Sequence, residues 1–135
     1  MIFVSITRLR VRSWRFMPSF AAYTFRSMRQ ARAAAGNLAV RLLAERRNTF
    51  WTATAWTSDA AMREFMLAGA HRQAMRKLAH WCDEAAVVHW NQEDARLPTW
   101  HEAWLRLQRE GRKSKVLYPA PAQLAQQFAP PRSQH

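Results

Sequence analysis

From Ile2 to Arg10 apolar and polar side chains alternate, with Ile2, Val4 and Ile6 on one face and Phe3, Ser5 and Thr7 on the other, the period of two that marks a strand. Pro18 suits the first turn of a helix. Met17, Phe20, Ala21, Thr24, Met28 and Ala31 then recur at spacings of three and four, one helical face that runs out near Gly36-Asn37. Leu38–Arg46 and Phe50–Trp56 read as two strands joined by the hairpin-length connection Arg47-Asn48-Thr49. Ser58 and Asp59 can cap a helix whose apolar stripe is Ala61, Met62, Phe65 and Met66. Gly69 breaks it before a second piece carrying Ala74, Leu78 and Trp81. Ala85–Trp90 reads as a short buried strand. Thr99-Trp100-His101-Glu102 has the form of a capping box that opens a last helix lined by Trp100, Trp104 and Leu107.

The order strand, helix, strand, strand, helix, strand predicts an α+β chain of the ferredoxin-like βαββαβ kind, with both helices on one face of a four-stranded antiparallel sheet. Residues 1–110 form that domain. Residues 111–135, basic at first and then carrying Pro119, Pro121, Pro130 and Pro131, read as a flexible tail. The second face of such a sheet is uncovered, and Ile2, Val4 and Ile6 would leave water most readily by packing against a second copy, which predicts a homodimer.

At 135 residues there is room for one domain, and seven Trp, seven Phe and six Met supply a core. The single cysteine, Cys82, cannot pair within the chain, and the first residues lack the basic flank of a secretory leader, so the expected compartment is the cytoplasm. Arg41 interrupts the most apolar stretch, Ala33–Ala44, so no membrane insertion is expected. The net charge of +12 sits at the ends: ten Arg against Glu45 in residues 1–47, and six basic residues against Glu110 in residues 106–135. Such a field attracts anions, nucleic acid among them, without selecting one. A nucleic-acid-binding module and a non-catalytic scaffold or regulatory dimer are therefore alternatives to a small-molecule protein.

The run from Phe50 to Phe65, FWTATAWTSDAAMREF, continuing through Gly69-Ala70-His71-Arg72 to Met75, resembles the strand-to-broken-helix segment of the antibiotic-biosynthesis monooxygenase superfamily. It is most similar to a bacterial family of unknown function within it, in which a His follows Gly on the broken helix; spheroidene monooxygenase is a more distant likeness. The resemblance covers about residues 1 to 107. It implies a dimeric α/β barrel and a protein that is either a cofactor-free oxygenase, a haem-degrading enzyme or a member without chemistry. In the haem-degrading branch an Asn, a Trp and a His form the site, and alignment through Trp56 and Ser58 puts Thr7, Phe65 and Met75 at those places.

His71, at the helix break, is the candidate catalytic residue, as proton acceptor or as axial ligand of a haem. A hydrophobic small molecule would lie near Trp56, Phe65 and His71, with Met75 also among the candidate ligand-binding residues. Trp14, Trp51, Trp56 and Trp90 could form an aromatic wall, and Ser5, Thr7, Thr52 and Thr54 could orient a ligand. His80, Cys82 and His89 lack the spacing of a metal site, so no metal is expected. Asp83 and Glu84 beside Cys82 disfavour its thiolate. A nucleophile elbow and a phosphate-binding loop are excluded by the chain's three glycines. Arg26, Arg29 and Arg32 read as a solvated helix face.

Overall fold

The alternation in the first ten residues builds the centre of the molecule. In the computed structural model, which describes residues 1–133 and 135, β1 (Ile2–Val11) lies between β3 (Thr49–Trp56) and β4 (Cys82–Gln92). β2 (Asn37–Glu45) flanks β3, and the two-residue β5 (Arg112–Lys113) flanks β4, so the order is β2-β3-β1-β4-β5 with every neighbour antiparallel. The ferredoxin-like order is as expected, with one strand more than the four read from the sequence. That strand comes from the segment taken as tail.

A single 3-10 turn (Trp14–Phe16) leads into α1 (Met17–Ala33), and the broken helix forms as α2 (Asp59–Met66) and α3 (Gly69–Trp81). Ser58 caps α2 by accepting from the Ala61 amide at 3.1 Å. Gly36 enters β2 at φ 86, and a Cβ there would meet Ala61 and the Thr57 hydroxyl at 2.7 Å, so only glycine makes this corner without strain. Odd-numbered residues of β1 face α1, α2 and α3: Phe3 packs with Ala31, Trp56, Met62 and Phe65, and Val11 packs with Phe20 and Trp81.

Even-numbered residues face the other way, and that face is not open. The reciprocal capping box of Thr99 and Glu102 starts α4 (Trp100–Glu110), whose Trp100, Ala103 and Leu107 cover Val4, Ile6, Trp51, Ala53 and Val88. The chain then returns as α5 (Pro121–Ala125) and a strap that lays Phe128 into the same cluster at 4% exposure. The apolar face that argued for a homodimer is thus closed within one chain.

The segment expected as a flexible tail past residue 110 packs, as far as residue 133, against the sheet and α4. The Gln123 amide pairs with both backbone groups of Ala85, at 2.9 and 3.1 Å, extending the edge of β4 as a strand would. Trp104 Nε1 donates to the Phe128 carbonyl at 2.8 Å, and the Phe128 amide donates to Gln108 at 2.9 Å. Further on, the Arg132 amide donates to Glu45 of β2 at 2.7 Å. Proline content signalled irregular backbone correctly, but irregular backbone can be pinned by side chains. Beneath the strap Arg8, 4% exposed, pairs with Glu84 at 2.6 Å, the Arg8 guanidinium lying 5.0 Å from the Phe128 ring centre. Truncating Phe128→Ala removes a buried aromatic and uncovers this ion pair, and urea unfolding should show a loss of about 3 kcal/mol or more. A change near zero would mean that the segment is solvated.

Candidate functional site

The centre of the helix-facing side of the sheet carries Ser5, Thr7, Thr52 and Thr54 where an ordinary core would carry large aliphatic groups. Short hydroxyl side chains leave a space that the helices do not fill, and buried hydroxyls need partners. A cavity of about 370 Å³ lies there between sheet and helices. Its floor includes one row of directly opposed residues across all five strands: Leu42, Thr52, Thr7, Val87 and Arg112. The neighbouring row contributes Thr54, Ser5 and His89.

Helices α1, α2 and α3 form the roof with Phe20, Tyr23, Ser27 and Met28, then Met62, Phe65 and Met66, then His71, Met75 and Leu78. Thr54 and Ser27 are among the hydroxyls with hydrogen-bonding capacity left. Thr54 Oγ1 accepts from Trp56 Nε1 at 2.8 Å, which leaves its proton to be donated elsewhere. Ser27, 4% exposed, has no hydrogen-bond partner for its hydroxyl. An orphaned buried hydroxyl on a cavity wall costs stability unless something in the cavity meets it.

His71 is held by the helix break itself. Gly69 takes φ 58, and Gln30 of α1 donates to the carbonyls of Phe65 and Ala68 at 3.1 and 2.7 Å while accepting from the His71 amide at 3.0 Å. Packing continues outward from the sheet, Trp56 stacking on Phe65 at 5.1 Å and Phe65 meeting the His71 ring at 4.4 Å. His71 Nδ1 is 3.4 Å from the Met66 carbonyl, which can only accept, so the proton sits on Nδ1 and Nε2 keeps its lone pair. Burial lowers the His71 pKa, the Met66 bond opposing it. His89 is lowered too, first by burial and then by the charge of Arg112. Both imidazoles are therefore neutral bases near pH 7.

Of the residues singled out from the sequence, Ser5, Thr7, Thr54, Phe65, His71 and Met75 come together around this cavity, including the three positions aligned to the haem-degrading site. Four tryptophans do not. Trp90, in phase with Val88 on β4, packs in the cluster beneath α4 on the opposite face. Trp14 is 76% exposed in the 3-10 turn. Trp51 is one residue out of phase with Thr52 and Thr54, so it points to the opposite face, against Trp100 at 6.5 Å. Trp56 shares the cavity's face but lies behind Phe65, fully buried. Arg26, Arg29 and Arg32 are exposed on α1, as expected. Burial and Asp83 push the Cys82 thiol up to about 12, which leaves it a packing group.

Ser27, His89, Arg112 and Lys115 are cavity residues that sequence reasoning missed. A signal existed for two of them. Ser27 is at the spacing 20-24-27-31 that turns it to the buried side of α1, and His89 is in phase with Ala85 and Val87 on β4. Reading Ala85–Trp90 as a uniformly buried run hid that alternation.

Among the described residues no helix is long and apolar enough to cross a membrane. No protein of curated function matches the chain by sequence. Several solved structures share the fold. Rv0793 from Mycobacterium tuberculosis, 14% identical, superposes with a TM-score of 0.62 over 70% of this chain and 97% of its own. A protein described as an antibiotic biosynthesis monooxygenase gives 0.59 at 15% identity, over 70% and 100%. SnoaB, a cofactor-independent oxygenase from Streptomyces nogalater, gives 0.54 at 17% identity, over 69% and 94%. These likenesses bear out the fold of the antibiotic-biosynthesis monooxygenase superfamily. The family model for the domain of unknown function DUF3291 matches residues 21–116, most of the chain, and the protein belongs to that family.

Proposed function

We propose that the protein binds a flat, hydrophobic small molecule in the cavity between the sheet and α1–α3, without a resident cofactor, and that His71 accepts a proton from it. The observation that carries this is the cavity itself: apolar walls, Thr54 on the floor and Ser27 in the roof with hydrogen-bonding capacity to spare, and a desolvated imidazole with its lone pair on Nε2. With Val4 and Ile6 covered by α4, a homodimer would pair through a surface other than that face of the sheet.

For a phenolic ligand, transfer of the hydroxyl proton to His71 Nε2 leaves an electron-rich phenolate. Such an anion can reduce dioxygen directly: one oxygen atom replaces ring hydrogen as a quinone carbonyl, and the other leaves as water. The likeness to a cofactor-independent oxygenase favours this form of the reading. Haem, the alternative to a cofactor-free site, fits less well. About 370 Å³ lies near the small end of ligand sites, and Phe65, stacked on Trp56, already lies against His71.

Filling the floor tests the binding claim. N-phenylnaphthylamine should fluoresce on binding the wild type, and Thr7→Phe should weaken it at least about tenfold; equal binding by both would remove the cavity from the account. The proton step is read separately, by oxygen uptake with naphthol-type phenols. His71→Ala should retain dye binding and lose about a hundredfold in rate, while an unchanged rate would exclude His71 as the base.

The lowered histidines also fix a stability trend. Below about pH 6.5 the unfolded chain binds protons that the folded His71 and His89 resist, so stability is full above that pH and declines as the pH falls toward their folded values. His71→Gln should make the decline between pH 7 and 5 shallower, as measured by urea unfolding at each pH. An unaltered slope would mean that His71 is solvated.

A further inference from the structure

The cavity is electrically one-sided. Among the described residues its charged lining groups are Arg112 and Lys115, with no carboxylate. Both cations sit past the end of α4, on β5 and just after it, at the edge of the sheet. Neither forms an ion pair among the described residues, and both are exposed, so their charges stand at the mouth of the cavity. Arg112 directly opposes Val87 and ends the row that begins at Leu42. Four inter-strand steps separate the two ends, about 19 Å at the usual strand spacing. One end of the floor is therefore aliphatic, the middle carries hydroxyls, and the far end carries two unpaired positive charges. Arg112 also bears on His89, which brings its charge to the cavity rather than to bulk solvent alone.

Resting on the small-molecule reading above, we infer that the natural ligand is an amphipathic acid: a hydrophobic ring system lying along the hydroxyl-lined floor, with an anionic oxygen group received by Arg112 and Lys115 at the β5 edge. Arg112 supplies a planar fork suited to two oxygens, and Lys115 adds a mobile point charge. The pair orients the ligand as well as holding it, because only one end of the floor accepts an anion. Ring hydroxyl or carbonyl groups then fall in the middle of the sheet, in reach of Thr7, Thr54 and Ser27, with His71 in the roof.

The test uses two dyes with the same rings, anilinonaphthalene sulfonate and the uncharged N-phenylnaphthylamine. The double variant Arg112→Gln with Lys115→Gln should bind the sulfonate about tenfold more weakly than wild type and the uncharged dye within twofold of it. Added salt should narrow the sulfonate difference. The control Arg26→Gln with Arg29→Gln removes the same net charge from the exposed face of α1 and should leave both dyes unaffected. Equal weakening in the control, or no weakening in the β5 variant, overturns the anion inference; if Thr7→Phe still expels the uncharged dye, the cavity reading survives it. Failure of the wild type to bind either dye overturns both together.

Discussion

The structure depends on one constraint, the period of two in β1. Because successive side chains point to opposite faces, a strand that alternates Ile2, Val4, Ile6 with Phe3, Ser5, Thr7 must sit in a sheet with two different surroundings. The even face is dry and apolar, and α4 with Phe128 covers it. Each large side chain buried there contributes about 1.5–3 kcal/mol, enough for that half of the molecule to hold the sheet together. The odd face has apolar clusters at its two ends, around Trp56 and around Trp81, and hydroxyls between them. The cavity follows from this division. Helices propped at both ends by bulky groups span a middle made of short polar ones.

Much of this was legible in the sequence. The Thr-x-x-Glu capping box at Thr99, the Ser58 cap, the break at Gly69 and the strand parity of β1 all act over a few residues, and each formed as its local chemistry dictates. The strap was not legible. Gln123, Trp104 and Gln108 hold it through side-chain bonds between residues far apart in sequence, and a proline-containing stretch looks the same whether or not such partners exist. The expected dimer failed in its premise for the same reason, since the sheet's cover lay downstream in the same chain.

For the site, residue type was a weaker guide than phase. Ser5, Thr7 and Thr54 stood out as polar groups on strands that could orient a ligand, and His71 because a helix break can turn its ring inward; all four line the cavity. Trp51 went astray because its size suggested an aromatic wall, although its odd position next to Thr52 already put it on the other face. Arg112 and Lys115 could not be found from the sequence, since in a strongly basic chain two more cations carry no signal until β5 pairs with β4 and turns them to the cavity. A neutral base, spare hydroxyl hydrogen-bonding capacity and a positive rim meet around one cavity, each supplied by a different element of the fold.

The central claim is that a hydrophobic ligand enters between the sheet and α1–α3, and methionine methyl NMR tests it most directly. Met28, Met62, Met66 and Met75 line the cavity, whereas Met1 and Met17 do not. Titration with N-phenylnaphthylamine should shift the first four methyl signals and leave the other two in place. Shifts confined to Met1 or Met17, or saturation of the dye with the four cavity signals unmoved, would contradict it.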